Sequence, residues 1–308
     1  MNKLAIIDGD GLIYQSSKES LMESIDILDA KIQNIFDQTQ ATHYVIFISF
    51  TPYFRHSIDP NYKIGRNKYP QPLKWLKSLK SYLIEEYGAQ SMKNVEADDL
   101  CAYWISKNLD FDLPIDSSEE TISKIIELTD QERFQEAFKL GLSSSITKVI
   151  IEKILCSPDK DLLQSIPGRH FNYTYKLEDK TNPESVIKGW WVENNSENSY
   201  VTFWKSMICG DATDGIKGIE GRGISFADKL YDSLDKKDVF RTIILNEYCL
   251  KYGQSQGIFE FQKNYRLLRL LNCDQDFIRE IGKLPEFPAI KEIERERGIT
   301  IVEVPNKF

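Results

Sequence analysis

Nine carboxylates stand in four short clusters along the chain: Asp8 and Asp10, Glu96 with Asp98 and Asp99, Asp159 and Asp161, Asp211 and Asp214. Each cluster follows or opens an apolar stretch. Gathered in one fold, they repel one another by kilocalories even at an effective dielectric of about 20, and only multivalent cations can compensate so many like charges. Hard oxygen donors, with no His or Cys cluster competing for zinc, favour Mg²⁺ or Mn²⁺. Two such ions roughly 3.5–4 Å apart can activate water and clamp a scissile phosphate between them. The chemistry these residues point to is phosphodiester hydrolysis.

The elements that must position them can be read from periodicity. Leu4-Ala5-Ile6-Ile7 is a short apolar run ending at Asp8-Gly9-Asp10, a buried strand with acids at its carboxyl end. Open parallel sheets bind ligands at that edge. Leu21, Ile25, Leu28, Ile32, Ile35 and Phe36 repeat at helical spacing over 21–38, and Tyr44 to Ile48 is a second buried strand. Strand, helix and strand in this order predict a right-handed βαβ unit within an α/β fold, its central, mostly parallel sheet flanked by helices on both faces. Further helices are expected over 73–87, from Leu100 to Ile105 behind the acids 96–99, and over 225–234, 237–252 and 259–271. A strand is expected over 149–155, and short antiparallel strands between Phe171 and Trp191.

Residues 52–70 are basic and aromatic with little apolar periodicity, which predicts a mobile surface segment carrying Arg55, Tyr62, Lys63, Arg66 and Lys68. Lys74, Lys77 and Lys80 lie three apart on the following helix and read as a solvated face unless substrate passes there. Gly218, Gly221 and Gly223 alternate through the stretch between two short helices, where backbone N–H groups can approach a phosphate closely. Residues 110–147 are expected to be an inserted helical pair, and the tail beyond Pro285 is unassigned.

Net charge is −8, which opposes binding of a polyanion unless the acids are gathered around metal; distribution matters more than the sum. The five cysteines form no C-x-x-C pair, so a disulfide framework or zinc ribbon is not expected. No uncharged apolar run of membrane-spanning length occurs, and Met1 leads directly into the first strand. A cytoplasmic protein without membrane contact is the expectation.

With Ile7-Asp8-Gly9-Asp10, Asp59-Pro60-Asn61-Tyr62-Lys63 plus Arg66, Glu96-Ala97-Asp98-Asp99, Asp159-Lys160-Asp161 and Gly210-Asp211-Ala212-Thr213-Asp214-Gly215 in this order, followed by the glycine run 218–223, the chain resembles the flap endonuclease and 5′→3′ exonuclease family, especially the exonucleases of tailed bacteriophages. The likeness spans roughly residues 4–272. It implies that Asp8, Glu96, Asp98 and Asp159 hold one Mg²⁺ or Mn²⁺, with Asp99, Asp161, Asp211 and Asp214 serving a second. It implies catalytic roles for Lys63 and Arg66 at the scissile phosphate, stacking of Tyr62 on a terminal base, and DNA contacts from Arg55, Lys68, Gly218, Gly221, Arg222 and Gly223. The last four match a helix–three-turn–helix element that in relatives also binds K⁺.

The implied substrate is DNA with a 5′ end or flap, or an RNA–DNA hybrid, cut during phage or bacterial replication and primer processing by a protein expected to be monomeric. The implied division is a nuclease domain over 1–209 with a basic arch at about 52–88, a helical duplex-binding region over 210–285 and the tail 286–308. Relatives carry an acid just after the second strand, where this chain has Ser49-Phe50-Thr51. Two other readings remain at this stage. Asp8-Gly9-Asp10 also resembles the nucleophile motif of aspartate-dependent phosphatases, and the missing acid is compatible with a catalytically silent DNA-binding accessory.

Overall fold

The structure, a computed structural model, describes residues 3–65, 74–107, 152–177 and 186–293. Strand β1 (Lys3–Asp8) is buried from Leu4 onward and lies between β2 (His43–Phe47) and β3 (Glu152–Cys156), parallel to both, with Ile7 opposite Ile46 on one side and Cys156 on the other. A strand covered on both faces must be apolar throughout, which is why these segments read as continuous runs. β3 is parallel to β4 (Gly168–Leu177), which pairs antiparallel with β5 (Val186–Asn194). The short β8 (Lys291–Glu292), within the unassigned tail, closes the other edge against β2, giving the order β5-β4-β3-β1-β2-β8. The expected α/β class, a mostly parallel sheet flanked by helices, is the architecture observed.

Alternation along β1 divides the core between the two faces of the sheet. Ala5 and Ile7 pack under α1 (Gly9–Ser16), α2 (Leu21–Thr39) and α4 (Leu76–Tyr87) through Leu12, Ile13, Leu28, Ile32, Ile35, Leu79 and Leu83. Leu4 and Ile6 pack on the other face under α5 (Ala97–Ser106) and α11 (Asp274–Ile281) through Leu100, Tyr103, Trp104 and Phe277. Ser20 caps α2 by accepting the Glu23 N–H at 3.1 Å. Beyond β5, α7 (Ser196–Cys209), α8 (Ile224–Asp232), α9 (Phe240–Tyr252) and α10 (Gln254–Leu268) enclose a further core around Trp204, Met207, Ile244, Tyr248 and Phe261. A small cluster of Tyr62, Ile216 and Leu267 joins that region to the sheet.

Two expectations shift. Helices α7 and α11 have no counterpart in the sequence reading, because Ser, Asn and aromatic residues give α7 modest intrinsic propensity. The Asn195 cap on Asn198 N–H, at 2.7 Å, and the burial of Trp204, Met207 and Ile208 hold it. The described part of the segment expected to be mobile, residues 52–65, is packed: it contains α3 (Arg55–Ile58) and buries Phe54, Arg55 and Tyr62. Arg66, Lys68 and the segment 110–147 lie outside the described residues.

Candidate active site and metal centre

Because β1, β2 and β3 run parallel, the residues following them emerge at one edge of the sheet. Asp8 ends β1 and caps α1, its Oδ1 accepting the Gly11 N–H at 3.2 Å and its Oδ2 accepting the Ser157 hydroxyl at 3.0 Å. Ser157 Oγ in turn accepts the Asp159 N–H at 3.0 Å, tying the loop after β3 to the end of β1. A Cβ at Gly11 would meet the Pro158 ring at 2.5 Å, so glycine is what lets α1 close on that loop. Asp159 caps the short helix α6 (Lys160–Ser165) by accepting the Asp161 N–H at 2.8 Å. Glu96 precedes α5, and Asp98 sits in its first turn, where the helix dipole favours an anion.

The electrostatics show how closely these groups approach. Burial pushes the Asp8 carboxyl up to about 7, with the charges of Asp10 and Asp159 adding to the shift. Asp98 is raised well above the carboxylate range by burial and then by Asp8 and Asp159. Asp161 is raised by burial and by Asp159, Asp211 and Asp214, which brings the fourth cluster to the others. That cluster sits on a tight turn between β6 (Gly210–Asp211) and β7 (Ile216–Lys217), where Asp211 Oδ1 accepts the Thr213 and Asp214 N–H groups at 2.8 and 3.3 Å. Among the described residues, no three of these acids close on a common point as a finished ligand set would. No salt bridge reaches Asp8 or Asp98 among those residues.

Glu96 is held differently. Burial works to raise it, yet Arg55 and then Lys63 keep it below the usual carboxylate value. Its Oε2 accepts from Arg55 at 2.7 Å and from the Tyr62 hydroxyl at 3.0 Å, while Oε1 pairs with Lys63. The Lys63 ammonium also lies 3.7 Å from Asp214, and its backbone N–H donates to the Asp214 carbonyl at 2.9 Å. Lys63 has φ of 60°, in the left-handed region that costs a non-glycine residue about 1 kcal/mol. That backbone turn sends the side chain into the acids.

The structure places three of the expected site residues away from solvent. Arg55, expected on DNA, is 2 % exposed and forks onto Asp99 at 2.7 and 2.8 Å as well as onto Glu96, with further bonds to the Leu267 and Arg269 carbonyls. Asp99, expected at the second metal, is wholly buried beneath that guanidinium and also accepts the Leu271 N–H at 3.0 Å. An unpaired buried charge is prohibitive, so the pair has turned inward as a structural unit. Tyr62, expected to stack on a terminal base, is 6 % exposed, and its hydroxyl bridges Glu96 and Asp214, the latter at 3.1 Å.

The glycines divide as well. A Cβ at Gly218 would meet the Ile208 carbonyl at 2.1 Å, so glycine there is required by packing on the end of α7 rather than by a ligand. Gly221, with φ of 77°, and Gly223, at the N-terminus of α8, face open space. Arg222 beside them lies 3.3 Å from Glu247 and over the Phe226 ring, with its side chain 42 % exposed.

Two residues at the edge of the site had no part in it in the sequence reading. Ser49, buried where the resemblance led one to expect an acid, accepts the Ala97 N–H at 2.7 Å and so fixes the start of α5. Lys80, expected in solvent, turns inward to the Ser49 carbonyl and to Asp10, 3.5 Å away. Its place between Leu79 and Leu83, on the margin of the buried stripe of α4, is the signal that could have found it.

No protein-family model matches the sequence, and no curated protein matches it at a significant level. Among solved structures, the chain is similar to the bacteriophage T5 D15 protein co-crystallised with metal ions, at 17 % identity and a TM-score of 0.52, covering 91 % of this chain and 93 % of that one. It is also similar to the T5 5′-exonuclease with bound zinc, at 19 % identity, a TM-score of 0.52 and the same coverage. The sheet, its flanking helices and the acid-bearing edge thus belong to a chain with the fold of the T5 5′-exonuclease.

Proposed function

We propose that the protein is a divalent-metal-dependent 5′ nuclease that hydrolyses DNA phosphodiester bonds, as a 5′→3′ exonuclease or flap endonuclease acting in replication and primer processing. The observation that carries this reading is the mutual electrostatic influence of acids at the carboxyl edge of the parallel sheet: Asp8 is raised by burial, Asp10 and Asp159, Asp98 by burial, Asp8 and Asp159, and Asp161 by burial, Asp159, Asp211 and Asp214. Such buried like charges are neutralised by bound protons or by cations supplied from outside. The donor set is all oxygen, which suits Mg²⁺ or Mn²⁺. Asp8, Asp98, Asp159 and Glu96 would hold one ion, and Asp161, Asp211 and Asp214 a second. When bound, the ions supply Lewis-acid polarisation of the phosphate and neutralise charge developing in the transition state.

The chain's own groups do the rest. Lys63, anchored by its strained backbone and by Asp214, presents an ammonium to a phosphate that displaces it from Glu96. Tyr62 holds Glu96 and Asp214 in place through its hydroxyl. Gly221, Arg222 and Gly223 offer open backbone and a guanidinium at the N-terminus of α8, which suits the phosphate backbone of duplex DNA. Incubation with 5′-labelled duplex, flap and RNA–DNA hybrid substrates, with and without Mg²⁺, tests the reading, alongside a chromogenic phosphate monoester. Mg²⁺-dependent shortening from the 5′ end or flap release is expected. Monoester turnover without cleavage of nucleic acid would assign the site to a phosphatase, and binding without either reaction to an accessory protein.

A further inference from the structure

Two lysines enter the acid cluster from opposite sides in sequence of the stretch 66–73. Lys63 precedes it and pairs with Glu96 and Asp214; Lys80, on α4, follows it and pairs with Asp10 and the Ser49 carbonyl. The two are alike in burial and in the company they keep. Their side chains are 14 and 13 % exposed, each ammonium lies against carboxylates of the site, and each sits near an aromatic ring, Tyr62 at 5.1 Å for Lys63 and Phe50 at 4.8 Å for Lys80. Lys77 on the same helix, and Lys74 just before it, are exposed. A lysine drawn out of solvent loses hydration and side-chain entropy, so its inward turn needs a partner of opposite charge.

Asp10, its Oδ1 also accepting the Ser49 N–H at 3.2 Å, is that partner.

We infer that Lys80 is a second phosphate-contacting lysine, placed on the β2 side of the pocket as Lys63 is placed on the α5 side, so that a phosphodiester at the acids is met by an ammonium from each flank. This rests on the nuclease reading. Asp10 and the Ser49 carbonyl hold Lys80 in reserve at the rim, where an incoming phosphate offers a stronger acceptor than one carboxylate and one carbonyl. The inference also gives a role to the serine that stands where relatives have an acid. With Ser49 neutral, the Asp10–Lys80 pair is the only charge pair among the described residues on that flank, and its cation is available to substrate.

The test is single-turnover cleavage of a 5′-labelled duplex at saturating Mg²⁺ by the full chain and its Lys80→Ala, Lys80→Arg and Lys77→Ala variants, together with DNA binding in Ca²⁺ over a range of salt. Lys80→Ala is expected to slow cleavage about 10- to 100-fold and to lower the dependence of log Kd on log salt by about one ion. Lys80→Arg should recover part of the rate, and Lys77→Ala should leave rate and slope unchanged. A rate within about twofold of the unaltered protein overturns the inference. So does a loss that vanishes on raising Mg²⁺ or lowering temperature, which would make Lys80 a structural tether of Asp10. Failure of the unaltered protein to cleave any nucleic acid overturns the nuclease reading and this inference with it, whereas cleavage insensitive to Lys80→Ala overturns the inference alone.

Discussion

The start of α5, from its cap Glu96 into the first turn, carries two kinds of acid side by side. Glu96 and Asp99 are matched by Arg55, whose fork reaches both carboxylates and two backbone carbonyls, so their burial is compensated from within the chain. Asp98, between them, is raised by burial and by Asp8 and Asp159, with Lys63 offsetting this only in part and no salt bridge reaching it among the described residues. One residue step around the helix, from Asp98 to Asp99, thus separates charge that awaits a ligand from charge that serves the fold, while Glu96 is compensated by Arg55 and by Lys63, the cation a phosphate would displace. The difference teaches how to read a buried acid: one paired internally is structural, and one whose neighbours are other acids marks a place where positive charge must arrive from solution.

The strongest way to break this comparison is to remove Arg55. Arg55→Ala strands two buried carboxylates and should destabilise the protein by about 3–5 kcal/mol, read from urea midpoints with and without Mg²⁺. A loss under about 1 kcal/mol would place Arg55 among ordinary surface pairs. On the other side, Asp8→Asn keeps an acceptor for the Gly11 N–H and removes a repelled charge. It should stabilise the metal-free protein at neutral pH by roughly 1–3 kcal/mol while abolishing most of the stabilisation gained on adding Mg²⁺. A metal-free variant less stable than the parent would show that Asp8 is compensated after all.

The pH dependence sharpens the same contrast with a smaller effect. Asp8, raised from 3.8 to about 7, binds a proton in the folded state that the unfolded chain has already released, and Asp98 is shifted in the same direction. Their contribution is therefore fully present below about pH 4 and is lost as the pH rises through 7, so metal-free stability should decline across that window by roughly 1–2 kcal/mol. Glu96 has the opposite sign: held below its usual 4.5, it contributes stability above that value and loses it in acid. Thermal melts at pH 5 and 7.5 check this, and saturating Mg²⁺ should flatten the decline. Asp211→Asn should change stability least, within about 0.5 kcal/mol, because the residue is half-exposed and its amide still accepts from Thr213 and Asp214. Cleavage should nonetheless fall more than 100-fold, and unchanged turnover would remove Asp211 from the site.

Much of this was legible before the structure. Leu4 to Ile7 and Tyr44 to Ile48 read as strands because a parallel sheet buries both faces, and α2 is legible because its apolar residues repeat at 3.6. Asp8 and Asp159 fall at the ends of such strands, so the edge that gathers them follows from topology alone. The fate of individual charges did not follow. Arg55 lies in a stretch without periodicity, where a buried guanidinium and a surface one have the same sequence signature, and only tertiary packing against α10 and Glu96 turns it inward. Lys80 carries the same ambiguity at the margin of an amphipathic helix. Gly218 and Gly221 look alike in sequence, yet one is pressed against a backbone carbonyl and the other faces open space.

The claim on which the rest depends is that Asp8, Asp98, Asp159 and their partners form a pocket that takes up paired divalent cations. Titrating Mn²⁺ into the metal-free protein, with free ion followed by its paramagnetic resonance signal, tests this most directly. The account predicts about two ions bound per chain, falling by at least one in Asp98→Asn and remaining unchanged in Lys77→Ala. Binding of no Mn²⁺ at millimolar concentrations, or binding that Asp98→Asn leaves intact, would contradict it.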